Sequence, residues 1–73
     1  MNKVTSVDDV RELCTNQTHF KMKFHDISAG LNTDIDSWDI STIAYFDNRI
    51  EMMNFDGIWF ITDEKNIYEI EEV

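Results

Sequence analysis

Residues 19–25, HFKMKFH, alternate strictly between polar and apolar side chains. In an extended chain Phe20, Met22 and Phe24 face one side and the histidines and lysines face the other, because successive strand residues point to opposite faces. A strand with one apolar face needs neighbouring strands and a second layer that covers this face. The segment therefore predicts a half-buried strand within a sheet.

Four later segments also have the composition of strands, and short turn sequences separate them. The predicted strands are STIAYF (41–46), RIEMMN (49–54), GIWFIT (57–62) and IYEIEEV (67–73). Because each turn is short, we expect these strands to follow one another as an antiparallel meander. Residues 26–37, DISAGLNTDIDS, contain small and turn-forming side chains and predict a long connection with at most a brief strand.

Residues 6–14, SVDDVRELC, predict a short helix near the N-terminus. Ser6 suits the N-cap position, and Asp9 three positions later completes a capping box. One apolar stripe at helical spacing consists of Val7, Val10, Leu13 and Cys14. Asn16 is expected to end the helix in a left-handed conformation. A helix this short is stable only when its apolar stripe packs on another element.

These elements predict an α+β fold, in which one short N-terminal helix packs on an antiparallel sheet of four to five strands. The 73 residues suffice for a single small domain, residues 1–73. A core of this size is marginally stable, and Cys14 is the only cysteine, so no disulfide within the chain can support it. We therefore expect close core packing or self-association as a homodimer. The single cysteine also fits a reducing, cytoplasmic setting.

The charge of the chain is large and unevenly distributed. Its formal net charge of −9 favours basic protein surfaces, so we expect neither nucleic acid nor a membrane as a direct partner. Residues 1–25 contain four basic side chains, including Lys3, and three acidic ones, a net of +1. Residues 26–73 contain twelve acidic and two basic side chains, a net of −10. This asymmetry predicts a binding face in the C-terminal two-thirds of the chain.

The cluster of Asp34, Asp36 and Asp39 raises the question of a calcium site. A calcium loop of the EF-hand type needs a glycine at its sixth position and a glutamate at its twelfth. Counted from Asp34, those positions hold Asp39 and Tyr45, and a count from Asn32 fits no better. The sequence therefore predicts no metal site at this loop.

Nucleophilic catalysis would require a pair such as Cys14 with His19 or His25. However, Cys14 lies on the apolar stripe of the predicted helix, where cysteine packs as a small hydrophobic residue. The chain contains only two glycines and no glycine-rich phosphate loop. We therefore expect a protein that is not an enzyme and has no cofactor.

The carboxylates form the most informative pattern. Asp34 and Asp36, and likewise Glu69 and Glu71, are two residues apart on extended segments, which places each pair roughly 6–7 Å apart on one face. Such rows imitate the charges of a nucleic-acid backbone and would attract the lysines and arginines of a DNA-binding protein. Trp38 lies among the aspartates and is the expected apolar anchor. The predicted partner-binding residues are Asp34, Asp36, Trp38, Asp39, Asp47, Glu51, Asp56, Asp63, Glu64, Glu69, Glu71 and Glu72.

Small size, strong acidity, one helix on a small sheet and the lack of a catalytic motif resemble the phage-encoded DNA mimics. Among them, the chain is most similar to the type that inhibits the histone-like HU protein and is made by a Bacillus phage. The resemblance extends over the whole chain in class and charge, without a shared short motif. It implies an inhibitor, acting in the host cytoplasm, whose carboxylates occupy the DNA-binding cleft of a basic host protein such as HU. It also implies a dimer that matches a dimeric target.

Two other interpretations remain open at this point. An immunity protein or antitoxin that neutralises a basic nuclease would bind one dedicated partner very tightly. A metal-stabilised domain would show thermal unfolding that shifts with calcium and with EDTA.

Overall fold

The structure, a computed structural model, describes residues 6–73, so that Lys3 lies outside the described part of the chain. Helix α1 (Val7–Thr15) begins after Ser6, whose side-chain oxygen accepts a hydrogen bond from the backbone N–H of Asp9 at 3.1 Å. The Ser6 hydroxyl in turn donates to the Asp9 carboxylate at 2.6 Å. The predicted N-terminal cap is therefore confirmed.

The predicted apolar stripe of α1 faces the core. Val7 and Val10 are fully buried, and Leu13 and Cys14 pack against the same cluster while remaining partly exposed. The helix does not end as predicted, because Asn16 has a φ of −82° and the left-handed residue is Gln17, with a φ of 56°.

Six strands follow the helix and form two antiparallel sheets of three strands each. The strands are β1 (Phe20–Asp26), β2 (Leu31–Asp36), β3 (Ile40–Tyr45), β4 (Arg49–Asn54), β5 (Trp59–Asp63) and β6 (Ile67–Glu72). The first sheet has the order β2-β1-β6, and the second has the order β3-β4-β5.

The combination of one short helix with antiparallel strands agrees with the prediction, but the single sheet of four to five strands is wrong. The segment predicted as a long connection contains β2, which pairs with β1 along its whole length. The predicted meander holds only for β3, β4 and β5, because β6 leaves it and pairs with β1. The final strand was recognised by its local pattern, which does not indicate its neighbour in the sheet.

Two short 3₁₀ turns connect the sheets, and each begins with an aspartate cap. The first turn (Ser37–Asp39) joins β2 to β3, and the carboxylate of Asp36 accepts the backbone N–H of Trp38 at 2.9 Å. The second turn (Glu64–Asn66) joins β5 to β6, and Asp63 accepts the backbone N–H of Asn66 at 3.2 Å. Each cap satisfies a donor that the turn leaves unpaired and so fixes the angle at which the chain changes sheets.

The core lies between the two sheets and α1. Phe20, Met22 and Phe24 of β1 are fully buried, as their alternation predicted, and they meet Ile50 and Met52 of β4. The opposite side chains of β1 remain on the outer face of the first sheet. No helix within residues 6–73 is long and apolar enough to cross a membrane.

Asp26 links the end of β1 to the second sheet. Its carboxylate is only 2% exposed and accepts hydrogen bonds from the backbone N–H of Ile61 at 3.1 Å and the hydroxyl of Ser28 at 2.7 Å. The backbone N–H of Ile27 donates to the carbonyl of Ile61 at 2.8 Å. Burial alone raises the pKa of Asp26. The hydrogen bonds that its carboxylate accepts from the Ser28 hydroxyl and from the backbone N–H groups of Ile61, Ser28 and Ala29 together lower this pKa below its ordinary value.

Candidate functional site

Two rows of carboxylates lie on the outer face of the first sheet, one on each side of β1. The cross-strand neighbours are Asp36–Lys21–Glu71 and Asp34–Lys23–Glu69. Because β2 and β6 are separated by two strand spacings, the two rows are roughly 9–10 Å apart. Within each row the spacing is the 6–7 Å expected for alternate residues of a strand.

The lysines of β1 therefore lie between the acidic rows, although they are distant from most of the acids in sequence. Lys23 Nζ is 3.8 Å from Glu69 Oε2, and both side chains are about half exposed or more, so the pair adds little stability. Four carboxylates and two lysines leave this face with a net charge of −2. The charge asymmetry along the sequence does not become a separation of charges in space, because β1 is the central strand of this sheet.

A more strongly acidic region adjoins one end of this face. Here Asp34 and Asp36 of β2, Asp39 of the first 3₁₀ turn and Asp56 of the β4–β5 turn line one cleft of about 540 Å³. Lys21 is the basic residue in this lining, which also includes Ile35, Asn54, Phe55 and Phe60. Asp56 is separated from the other aspartates by at least 17 positions in the chain, and the folding of the second sheet against the first places it beside them. We call this region the acidic cleft.

Asp36 also belongs to a compact arrangement with His19 and Trp38. The Nε2 atom of His19 lies 2.8 Å from both carboxylate oxygens of Asp36, and its ring stacks on the indole of Trp38. The hydrogen bond from the Trp38 N–H, followed by the contacts with His19 and the charge of Lys21, lowers the pKa of Asp36. Asp36 therefore remains ionised and holds the first 3₁₀ turn in place while it faces the acidic cleft.

Trp38, the predicted anchor, is 70% exposed. It lies on the other side of the first 3₁₀ turn from the acidic cleft, beside a second cleft that also includes Phe20, Ile40 and Ile43. Its indole is held by His19 and is available to a partner through its remaining exposed surface.

The other predicted partner-binding residues lie away from these surfaces. Asp47 is exposed in the β3–β4 turn, and Glu51 lies on the outer face of β4 with its carboxylate 3.1 Å from the guanidinium of Arg49. Asp63 is the cap of the second 3₁₀ turn, and Glu64 accepts the first backbone N–H of α1, from Val7, at 2.9 Å.

Glu69 and Glu71 are exposed on the outer face, whereas Glu72 is on the opposite side of β6. The register pairs Glu72 with Phe20, which points inward, and Glu72 lies in a shallow depression beside Asp9 and Glu12 of α1. Glu72 therefore does not extend the row that Glu69 and Glu71 begin.

Within residues 6–73, no group of three or more histidine, cysteine or acidic side chains has an arrangement that could hold a metal ion. Cys14 packs against the core beside Tyr45, and burial together with the nearby thiol raises the pKa of the Tyr45 hydroxyl. His19 contacts Asp36, and His25 contacts Asn32 with its Nδ1 atom at 2.8 Å. Both histidines lie on the outer face of the first sheet, while Cys14 belongs to the helix stripe.

One group of exposed residues that stands out in the structure is absent from the partner-binding residues predicted from the sequence. Phe55, Ile58 and Trp59 surround the turn between β4 and β5 and are 74%, 53% and 50% exposed. The predicted Asp56-Gly57 turn was the available signal, because large apolar residues flank a turn that has to lie at the surface.

Comparisons with protein-family models, with curated proteins and with solved structures find no match for the chain.

Proposed function

We propose that the chain is an acidic protein that binds the DNA-contacting surface of a basic protein, such as a nucleoid-associated HU protein, and inhibits its binding to DNA. The observation that carries the proposal is the pairing of β2 and β6 on either side of β1, which directs two rows of carboxylates to one face. The acidic cleft continues this surface through Asp39 and Asp56.

The dimensions of the two rows support mimicry of a duplex. Their separation of roughly 9–10 Å lies between the widths of the minor and major grooves of B-DNA, which are about 6 and about 12 Å. Lysines and arginines that follow two phosphate strands would therefore find two lines of negative charge at comparable distances. Lys21 and Lys23 reduce the charge along the middle of the face, but the two borders remain negative.

The contact surface under this proposal consists of six carboxylates: two from β2, one from the first 3₁₀ turn, one from the β4–β5 turn and two from β6. They are Asp34, Asp36, Asp39, Asp56, Glu69 and Glu71. Long-range attraction of a basic partner to such a surface accelerates association and weakens as salt screens it.

A displacement assay tests the proposal. Fluorescently labelled duplex DNA is bound to a purified HU protein, and the chain is added at about 50 mM and about 200 mM salt. We expect the DNA to be released, which lowers its fluorescence anisotropy. In a separate titration without DNA, we expect the affinity of the chain for HU to fall at the higher salt concentration. Failure to displace DNA from HU and from other basic DNA-binding proteins would contradict the proposal.

A pair of charge-matched variants locates the surface. Asp34→Lys with Glu71→Lys alters two exposed carboxylates, one in each row, for which the structure shows no hydrogen bond. The control, Glu12→Lys with Asp47→Lys, changes the net charge equally at two exposed positions away from both rows. We expect the first variant to lose affinity by about ten-fold or more and the control to lose much less. Equal losses would mean that only the overall charge matters.

The exposed apolar side chains at the β4–β5 turn favour a second candidate, an immunity protein or antitoxin with one dedicated nuclease as its partner. Apolar anchors contribute affinity that salt does not screen. Neutralisation of a basic nuclease that competing DNA cannot reverse would support this alternative over a DNA mimic.

A further inference from the structure

The β4–β5 turn and its flanking residues, 55–59, present an unusual concentration of exposed apolar surface, and we call this segment the hairpin tip. Three of its five residues have large apolar side chains, and each of these keeps at least half of its surface exposed. Single exposed apolar residues are common, but three adjacent ones on a small acidic domain mark an interaction surface.

The conformation of the hairpin tip is held by Asn54. Its side-chain oxygen accepts the backbone N–H groups of Asp56 and Ile58, each at 3.0 Å, and its backbone N–H donates to the carbonyl of Ile58 at 3.1 Å. Gly57 has a φ of +81°, which other residues rarely adopt, and its N–H donates to the Asn54 carbonyl at 3.1 Å. The apolar side chains are therefore presented on a fixed backbone, and little conformational entropy is lost when a partner binds.

The apolar surface continues from the hairpin tip onto the outer face of the second sheet. Trp59 lies opposite Met53 in the ladder, and Ile61 follows Trp59 on the same face of β5. The charges of Arg49 and Glu51 on this face neutralise each other, with 3.1 Å between their nearest atoms. The face thus differs sharply from the outer face of the first sheet, where most side chains are charged.

The location of the hairpin tip determines which partner it can bind. Phe55 and Asp56 both line the acidic cleft, across from Asp34 and Asp39. A protein that covers Phe55 must also approach these carboxylates, and an acidic or wholly apolar surface would leave them without counter-charges at a high desolvation cost. The complementary partner therefore combines an apolar recess with lysine or arginine side chains at its border.

We propose that the hairpin tip is the apolar anchor of the complex and inserts Phe55, Ile58 and Trp59 into an apolar recess bordered by basic side chains on the partner protein. This inference takes the class of partner, a basic protein, from the proposed function. It adds the residues whose apolar contacts supply affinity that salt does not screen. The charges of the acidic surface would then orient the partner, and the hairpin tip would slow its dissociation.

Synthetic peptides of defined chemistry test the inference without a known partner. One peptide alternates lysine with leucine, the second alternates lysine with serine at the same charge, and the third alternates leucine with serine. Binding to the full chain is followed by NMR chemical shifts, with the indole N–H of Trp59 and the amides of residues 55–59 as reporters. We expect the lysine–leucine peptide to shift these signals and to bind about five-fold or more tightly than the lysine–serine peptide.

Two matched variants separate the hairpin tip from other apolar surface. Phe55→Ser with Ile58→Ser should reduce the affinity for the lysine–leucine peptide to that for the lysine–serine peptide. Phe46→Ser alters a phenylalanine that is 45% exposed in the β3–β4 turn and should leave the preference unchanged. Amide spectra of each variant show whether it remains folded, and Trp59→Ser provides a third variant if the double change does not fold.

The outcomes distinguish this inference from the proposed function. Equal affinities for the two lysine peptides, or shifts confined to the first sheet, overturn the role of the hairpin tip and leave the acidic surface intact. If the Phe55→Ser with Ile58→Ser variant releases DNA from HU as well as the unaltered chain does, the role of the hairpin tip is likewise overturned and the acidic surface is unaffected. A dimer in sedimentation that this variant abolishes, or binding of the hairpin tip to neutral lipid vesicles, would identify a different occupant and also overturn the inference. Failure of the intact chain to displace DNA from HU and from other basic DNA-binding proteins would contradict the proposed function itself.

Discussion

The imidazole of His19 lies parallel to the indole of Trp38, with ring centroids 3.7 Å apart and planes that differ by 10°. His19 precedes β1, and Trp38 belongs to the turn in which the chain passes from the first sheet to the second. Asp36 binds both residues, through the imidazole Nε2 atom and the backbone N–H of Trp38. The three residues therefore connect the start of β1 to the end of β2.

Replacement of His19 by alanine should loosen this turn. We expect the loss of the ring stack to lower the free energy of unfolding by about 0.5–1.5 kcal/mol and to make Trp38 more accessible to a fluorescence quencher. Urea unfolding and acrylamide quenching, in a Trp59→Phe background that leaves one tryptophan, measure the two effects. His25→Ala is the control, because His25 lies on the same face and contacts Asn32 without a stacked ring. Equal effects of the two changes would contradict the role of the stack.

Removal of the Asp26 carboxylate should destabilise the domain far more than removal of an exposed one. Asp26→Ala leaves the backbone N–H of Ile61 without its acceptor and breaks a connection between β1 and β5, so we expect a loss of about 2–3 kcal/mol. Asp34→Ala, at an exposed position, should change the free energy of unfolding by less than about 0.5 kcal/mol. Chemical denaturation of both variants measures the difference, and similar values would show that Asp26 is not a structural link.

The carboxylates of Asp26 and Asp36 should make the stability of the domain sensitive to acid. Folding lowers the pKa of both Asp26 and Asp36 below the ordinary value of 3.8, so the folded state binds these protons more weakly than the unfolded state. Their contribution to stability is complete above about pH 5 and is lost as the pH falls through and below about pH 4. Unfolding free energies measured between about pH 6 and about pH 2 should show this decline. Asp26→Asn, which cannot ionise, should show a shallower decline, and an unchanged slope would assign the effect to other groups.

Substitution by alanine should greatly reduce the stability of the domain at one phenylalanine and leave it almost unchanged at another. Phe24 is fully buried and makes an edge-to-face contact with Phe60 at 6.0 Å, so Phe24→Ala should remove about 3–5 kcal/mol of stability and leave the domain largely unfolded. Phe55 is 74% exposed, and Phe55→Ala should leave the melting temperature nearly unchanged. Circular dichroism melts of both variants test the contrast, which also establishes that hairpin-tip variants are suitable for binding experiments.

Thr62→Val should stabilise the domain. Thr62 is fully buried in β5, and its hydroxyl has no hydrogen-bond partner among the described residues. Replacement of the hydroxyl by a methyl group removes an unpaired polar atom and retains the shape, so we expect a gain of about 1 kcal/mol. Thr42→Val, at an exposed position on β3, serves as the control in the same denaturation series. A loss of stability at position 62 would show that the hydroxyl is paired in solution.

Several features were predictable because they depend on neighbours in the chain. The alternation around Phe20, Met22 and Phe24 follows from the two-residue period of a strand, and burial of all three confirms it. Ser6 caps α1 through a contact only three residues away, and the Asp56-Gly57 turn needs only the freedom of its glycine. Each of these requires no knowledge of which elements later come together.

β2 was not recognised because it is an edge strand with a weak pattern. Ile35 is the only buried residue of this strand, whereas Asn32 and Asp34 face outward and Leu31 is exposed at its end. One buried side chain in six residues cannot establish a period of two. Its identity as a strand comes from its pairing with β1, which begins with Asp26 and Leu31 beside the connecting turn and ends with Lys21 and Asp36. The local pattern of side chains in β2 does not indicate this pairing.

The sequence by itself determined the elements whose signals are local: the capped helix, the faces of β1, the antiparallel succession of β3, β4 and β5, and the excess of acidic charge. Only the tertiary structure decided that β6 joins β1, that Lys21 and Lys23 lie between the acidic rows, and that Asp56 meets Asp34 and Asp39 in one cleft. The physical reason is that strand pairing depends on how two 3₁₀ turns redirect the chain and on which apolar faces then close one core. The candidate surface is a product of that closure, since its carboxylates come from elements that no local pattern brings together.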